Sequence, residues 1–245
     1  MRLADLLARA SALKVGVVQV ADNLPLHELD PSELRDACDQ AASLGLAIEI
    51  GTRGVEPAHL LRYLRLAVRC GAALVRTLTH SPNSKASLRQ AETWIRKVLP
   101  EFEAAGVTLG LENYEEHSCS SLADLVRRLE NRYVGICLDT VNSLGALEPP
   151  QTVVQILAPL TVSLHVKDFV IERAPQMMGF VVRGVPAGEG RLDVPSVLRQ
   201  VPTGNNPSVI LEQWPPFATS VEATIAMEQE WAERGVQYLR SCGCT

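Results

Sequence analysis

No apolar run in this chain approaches the ~20 residues that a bilayer crossing requires, which argues against a membrane span. The amino terminus lacks the hydrophobic stretch of a secretory leader, because Asp5 and Arg9 interrupt its leucines. Also missing is any block of like charge. The formal net charge is −5 with the two signs interspersed, which disfavours nucleic acid and other polyanionic partners but leaves room for a small phosphorylated substrate. The six cysteines suggest no disulfide framework: Cys38 and Cys70 fall late in helical patterns, Cys137 lies in a buried strand, and Cys242 and Cys244 belong to a frayed tail. Together these features predict a cytoplasmic protein.

What the chain does contain is a repeated alternation of strand and helix. Its 245 residues, 47% of them hydrophobic, suffice for a single domain over 1–245 around one sizeable core. The pattern predicts strands at 13–20, 46–50, 73–77, 107–112, 133–138, 161–166, 180–185 and 208–211. Between them, Asp30, Pro31 and Glu33 form a capping box with proline in the first turn of one helix. Further helices are expected at 56–70, 87–105, 121–130, 153–157 and 193–200. A last one, at 220–239, has Val221, Ile225, Met227 and Trp231 available for its inner stripe. Gly71 and Gly106 are helix stops. Eight strands with crossover-length connections make an α/β fold, a single (β/α)8 TIM barrel. A doubly wound open sheet is the alternative, but the first strand-to-helix turn has no glycine-rich phosphate fingerprint.

Four of the apolar strands end in a residue able to bind a cation: Glu112 after Val107-Thr-Leu-Gly-Leu, Asp139 after Gly135-Ile-Cys-Leu, His165 after Val162-Ser-Leu, and Glu212 after Val209-Ile-Leu. A charged group closing a run buried on both faces needs a partner. In a parallel barrel the carboxyl ends of the strands share one mouth, so the four should converge. Carboxylates brought together repel unless neutralised, and two or three oxygens with one imidazole suit one divalent metal ion, Mn2+, Mg2+, Co2+ or Zn2+. Lys167, two residues beyond His165, and Arg183 near the seventh strand end are candidate cations for a substrate carboxylate, phosphate or enediolate oxygen, with Arg173 in the preceding loop a third. Glu49 is expected to end the second strand as a substrate-hydroxyl contact. His80 and His117 can reach the mouth from loops. In the long segment 167–190 and after the eighth strand, Phe169, Met177, Met178, Phe180, Trp214 and Phe217 are expected either to form an apolar lid or, more simply, to pack against the barrel top.

The runs Leu111-Glu-Asn113, Cys137-Leu-Asp-Thr140, His165-Val-Lys-Asp168, Gly188-Glu-Gly-Arg-Leu-Asp193 and Leu211-Glu212 resemble, in order and spacing, the xylose-isomerase-like superfamily of sugar isomerases and epimerases. That resemblance implies a barrel holding one divalent metal through Glu112, Asp139, His165 and Glu212. It also implies that Glu112 and Glu212 flank a sugar as a proton-transfer pair acting through a metal-stabilised enediolate. Many ketose epimerases of the family carry a histidine three residues after the strand-five aspartate; here Asn142 stands there, a candidate substrate contact. The extra histidines of the family's apurinic endonucleases are missing, which with the acidic charge disfavours DNA repair.

A narrower resemblance, carried by Leu138-Asp-Thr-Val-Asn-Ser-Leu-Gly-Ala-Leu-Glu148, His165-Val-Lys-Asp-Phe169 and Gly184-Val-Pro-Ala-Gly-Glu-Gly190, is to the branch that includes 3-oxo-isoapionate decarboxylase. It implies a lyase acting on a keto sugar acid, with Lys167 or an arginine holding the departing carboxylate. The chain is read first as a sugar isomerase or epimerase, with a lyase as the alternative and a non-catalytic sugar-binding barrel as the third reading. The partner expected is a small sugar or sugar acid, and the family allows a homo-oligomer.

Overall fold

The computed structural model describes residues 2–82 and 84–244. It begins with a helix absent from the pattern above, α1 (Leu3–Ala12), whose Leu3, Leu7 and Ala10 are buried at helical spacing. The chain continues through β1 (Val17–Val20), α2 (Pro31–Ser43), β2 (Ala47–Arg53), α3 (Pro57–Cys70) and β3 (Leu74–Leu78). A tight hairpin of β4 (His80–Ser81) and β5 (Ser84–Lys85) precedes α4 (Leu88–Ala105), β6 (Thr108–Glu112), α5 (Cys119–Leu129), β7 (Val134–Asp139), α6 (Pro150–Leu157) and β8 (Thr161–Val166). The predicted start of α2 stands: Asp30 accepts from the Ser32 amide, and Glu33 returns a carboxylate to the Asp30 amide at 3.1 Å. Gly71 and Gly106 end α3 and α4 with φ of 64° and 67°, the left-handed cap that glycine adopts at least cost.

After β8 the chain differs from the eight-strand expectation. Segment 180–185 is a strand, but not of the barrel: β10 (Phe180–Val185) pairs antiparallel with β9 (Asp168–Arg173), from Phe180 opposite Arg173 to Val185 opposite Asp168. The reason is connection length. A parallel neighbour needs a crossover of a dozen or more residues, and the link 174–179 only allows the chain to fold straight back. The apolar positions that suggested a core strand are mostly exposed, including Phe180, Val181 and Val182.

The hairpin leads through α7 (Val194–Gln200), capped by Asp193, to β11 (Ser208–Leu211) and α8 (Val221–Ser241). Seven parallel strands therefore form the barrel wall, in the order β1, β2, β3, β6, β7, β8, β11, nearly closed, with helices around it. β11 and β1 approach without joining a ladder. The seam is clasped from outside, where Arg9 of α1 meets Glu233 of α8 at 2.6 Å and Arg240 donates to the Leu13 and Lys14 carbonyls at 2.7 Å. α8 buries Trp231, Gly235 and Leu239, whereas Val221 and Ile225, expected on its inner stripe, are exposed in its first turns. Leu109, Leu111, Ile136, Leu138, Leu164 and Val166 are fully buried, so the central strands are covered on both faces. No described helix is long and apolar enough to cross a membrane.

Candidate functional site

Glu112 is the last residue of β6, Asp139 the last of β7, His165 the penultimate of β8, and Glu212 follows β11 directly. Parallel register sets these ends side by side: Asp139 lies opposite His165, and Glu112 opposite Cys137. The structure brings all four predicted side chains together, with one donor atom of each within 4.8 Å of the others.

Each residue is aimed by its surroundings. Asn113 accepts from the Asp139 amide at 2.7 Å and donates to the Asp139 carbonyl at 2.9 Å, fixing the end of β7 against that of β6. Asp139 Oδ1 accepts from the amides of Val141 and Asn142 at 2.8 and 2.7 Å, which turns Oδ2 toward the cluster. His165 Nδ1 faces Glu212 Oε2 at 2.8 Å and Glu112 Oε1 at 3.8 Å. Its Nε2 lies 2.8 Å from Gln19 of β1. Glu112 Oε1 accepts from Asn142 Nδ2 at 2.8 Å, and its other oxygen rests against the Arg76 guanidinium.

Lys167 does not point into solvent. Its ammonium sits 3.0 Å from Asp139 Oδ2, 3.0 Å from Glu212 Oε1 and 3.2 Å from Asn142 Oδ1. The Thr140 hydroxyl accepts from the Lys167 amide at 3.0 Å and anchors this turn.

The electrostatics follow from burial working against charge. Burial pushes the Glu112 carboxyl up, with Arg76 and His165 opposing it. Burial also disfavours charge on Lys167 and His165, but neighbouring groups outweigh it: Asp139 and Glu212 hold Lys167 up, and Cys137, Glu212 and Glu112 hold His165 up. Glu212 is held down at about 2, because its close approach to the His165 imidazole and the Lys167 charge outweigh desolvation.

These residues fit a divalent cation. Glu112 Oε2, Asp139 Oδ2, His165 Nδ1 and Glu212 Oε2 are all buried and, among the described residues, lack a hydrogen bond of good geometry. Three carboxylates also outnumber the two permanent cations, Arg76 and Lys167, among them. A set of three carboxylate oxygens and one imidazole nitrogen is chemically suited to such an ion.

Other predicted residues fall elsewhere. Glu49 lies within β2, which runs on to Arg53, and not at its end; it is buried and accepts from Gln19 Nε2 at 3.0 Å. Arg183 is not brought into the cluster. It forms an exposed ion pair with Glu172 across the β9–β10 hairpin at 2.9 Å. Arg173 stacks over the exposed Phe180 ring at 4.4 Å. His80 faces Glu116 at 3.2 Å, and burial pushes the His117 imidazole down. Met177, Met178, Phe180 and Phe217 are exposed, while Phe169 is buried and Trp214 donates to the Asp168 carbonyl at 3.3 Å. Two surface hollows of about 340 and 270 Å³, lined in part by Arg9 and Arg240 and by Arg35 and Arg69, lie on the flanks.

Two residues near the cluster were not singled out from the sequence. Arg76 sits in the middle of β3 and is buried; Gln19 sits inside β1. Each is a polar residue in a mostly apolar strand, the same signal that drew attention to Glu112.

Comparison with known proteins agrees with this fold. Residues 7–242 match the family model described as Xylose isomerase-like TIM barrel. The chain is 35% identical over 238 residues to a 3-oxo-isoapionate decarboxylase of Pectobacterium atrosepticum, covering 97% of this chain and 86% of the relative. Among solved structures it resembles a xylose isomerase-like TIM barrel protein of Mycobacterium smegmatis in complex with magnesium (TM-score 0.76, 17% identity, 98% of this chain and 87% of that one). It is similar in the same way to a D-psicose 3-epimerase in the presence of D-fructose (TM-score 0.76, 15% identity, 99% and 94%).

Proposed function

Because the chain belongs to the xylose isomerase-like TIM barrel family, we propose that it is a divalent-metal-dependent enzyme that decarboxylates a keto sugar acid, with Glu112, Asp139, His165 and Glu212 as the ligands of one Mn2+, Mg2+, Co2+ or Zn2+ ion. Its 35% identity to a decarboxylase supports the reaction class. The observation that carries the choice over isomerisation is the unequal setting of the two glutamates. Glu112 is 1% exposed, with one oxygen accepting from Asn142 and the other against Arg76, whereas Glu212 is 36% exposed.

Isomerisation and epimerisation move a carbon-bound proton, so one group must take it and another must return one at a second position. Glu112, enclosed with Asn142 on one oxygen and the Arg76 guanidinium beside the other, is poorly placed to share that work. Loss of CO2 from a β-keto acid needs less. The bond between the carboxylate and the α-carbon breaks, the electron pair passes toward the keto oxygen, and one proton is added to the carbon. A divalent ion bound among the four ligands supplies Lewis acidity that lowers the cost of negative charge on that oxygen. Lys167 adds a fixed positive charge at the mouth, kept charged by Asp139 and Glu212. Glu212, held down at about 2, and Lys167, pushed up, both keep their own protonation states. Neither therefore gives up a proton in this step, and the proton added to the carbon comes from solvent. Asn142 carries an amide, which binds a hydroxyl but transfers no proton. Glu49, beneath the mouth and held by Gln19, is a candidate contact for a sugar hydroxyl.

The second reading, a sugar isomerase or epimerase with Glu112 and Glu212 as its proton-transfer pair, draws on one observation: burial pushes Glu112 up, which favours a carboxyl able to hold a proton. Incubating the metal-loaded protein with keto sugars and keto sugar acids in D2O separates the two. CO2 release with one deuterium incorporated per turnover is the expected result. Deuterium exchange into a keto sugar without gas supports the second reading, and neither product overturns both.

A further inference from the structure

We propose that Cys137 gives this barrel a second metal position, Glu112–Cys137–His165, which takes thiophilic divalent ions such as Zn2+ or Co2+ and overlaps the four-ligand position. Cys137 lies two residues before Asp139 on β7, so its side chain shares the barrel-facing side of the strand. It is completely buried and has no part in the chemistry above. Its register partner on β6 is Glu112, while Asp139 is paired with His165. One donor atom each from Glu112, Cys137 and His165 lies within 4.8 Å of the others. His165 Nδ1 is buried without a hydrogen bond, and Glu112 Oε2 meets the Arg76 guanidinium as an ion pair only, without a hydrogen bond of good geometry.

The two positions differ in chemistry. Oxygen donors dominate the upper one, with Asp139 and Glu212, and suit the hard ions Mg2+ and Mn2+. The lower one offers sulfur, nitrogen and oxygen, a mixture that favours Zn2+ or Co2+. Binding there converts the Cys137 thiol to a thiolate and releases its proton to solvent. Because both positions use Glu112 and His165, one ion excludes the other. An ion in the lower position leaves Asp139 and Glu212 paired with Lys167, so it blocks the reaction that an ion among the oxygens supports. Metal identity then selects the position as well as the strength of binding. The proposal rests on the reading above for Glu112 and His165 only.

Absorption spectroscopy of the Co2+-loaded protein tests it directly. The wild type is expected to show a thiolate-to-cobalt charge-transfer band in the near ultraviolet that disappears in both Cys137→Ser and Cys137→Ala but survives in Asp139→Asn. Zn2+ affinity should fall in the Cys137 variants by at least the ~10–100-fold that losing even an outer partner of a metal ligand costs, with Mn2+ affinity unchanged. Bound Co2+ without the band, or a band that persists in Cys137→Ala, overturns the proposal. Neither result touches the four-ligand reading, whose own failure shows as Mn2+ binding insensitive to Asp139→Asn.

Discussion

His165 Nε2 lies 2.8 Å from the side-chain oxygen of Gln19, which links β8 to β1 across the open seam of the barrel. The amide nitrogen of Gln19 donates to Glu49 at 3.0 Å, so its oxygen is the atom that faces the imidazole. His165 must therefore donate from Nε2. That leaves Nδ1, directed at Glu212 and Glu112, to carry either a proton or a metal ion.

Replacing Gln19 with Leu removes the acceptor that fixes this ring. The expected result is a fall in Mn2+ affinity of about 10–100-fold, measured by calorimetric titration, with the fold retained. Unchanged affinity would show that the imidazole is oriented without Gln19.

Arg76 and Glu112 form a buried pair, 10% and 1% exposed at their side chains. Arg76→Met strands the Glu112 charge and should cost about 3–5 kcal/mol in denaturant unfolding of the metal-free protein. Adding Glu112→Gln should return part of that loss, because the stranded charge is gone. Strict additivity of the two substitutions would contradict the pairing.

Asp168 organises the loop after the hairpin. It accepts from the amides of Phe169 at 2.8 Å, Gly188 at 2.9 Å, Gly190 at 3.0 Å and Leu192 at 3.0 Å. A side chain at Gly190 would collide with the Asp168 carboxylate, which accounts for the glycine there. Asp168→Ala should speed amide hydrogen exchange across 188–192 and leave Mn2+ affinity within about a factor of two, since hydrogen bonds to a charge contribute about 1.5–3 kcal/mol locally. Loss of metal binding in this variant would mean the loop builds the site as well as covering its flank.

The barrel and its four candidate ligands were legible because each rests on a local rule. Apolar runs closed by a charge mark strand ends, and parallel strands bring those ends to one mouth. What could not be read depends on contacts between distant segments. Segment 180–185 has strand composition, but only the shortness of 174–179 decides that it pairs with β9 and stands outside the barrel. Arg183 looked like a mouth residue for the same reason and is instead bound to Glu172 across that hairpin. Arg76 and Gln19 signal burial of a polar group, but the partners that explain them, Glu112 and His165, lie on other strands. Helix α1 was readable in principle from the spacing of Leu3, Leu7 and Ala10.

Metal removal should lower the melting temperature, since an ion that binds only the folded chain stabilises it by about 2.7 kcal/mol at a hundredfold excess over its dissociation constant. Differential scanning calorimetry with and without a chelator measures this. Equal melting temperatures would argue that no ion is bound.

Metal stoichiometry tests most directly whether Glu112, Asp139, His165 and Glu212 form one ion-binding centre. After reconstitution with Mn2+ and removal of excess, elemental analysis should find one ion per chain in the wild type and a large loss in Asp139→Asn and His165→Ala. No bound ion in the wild type, or full occupancy in both variants, would contradict it.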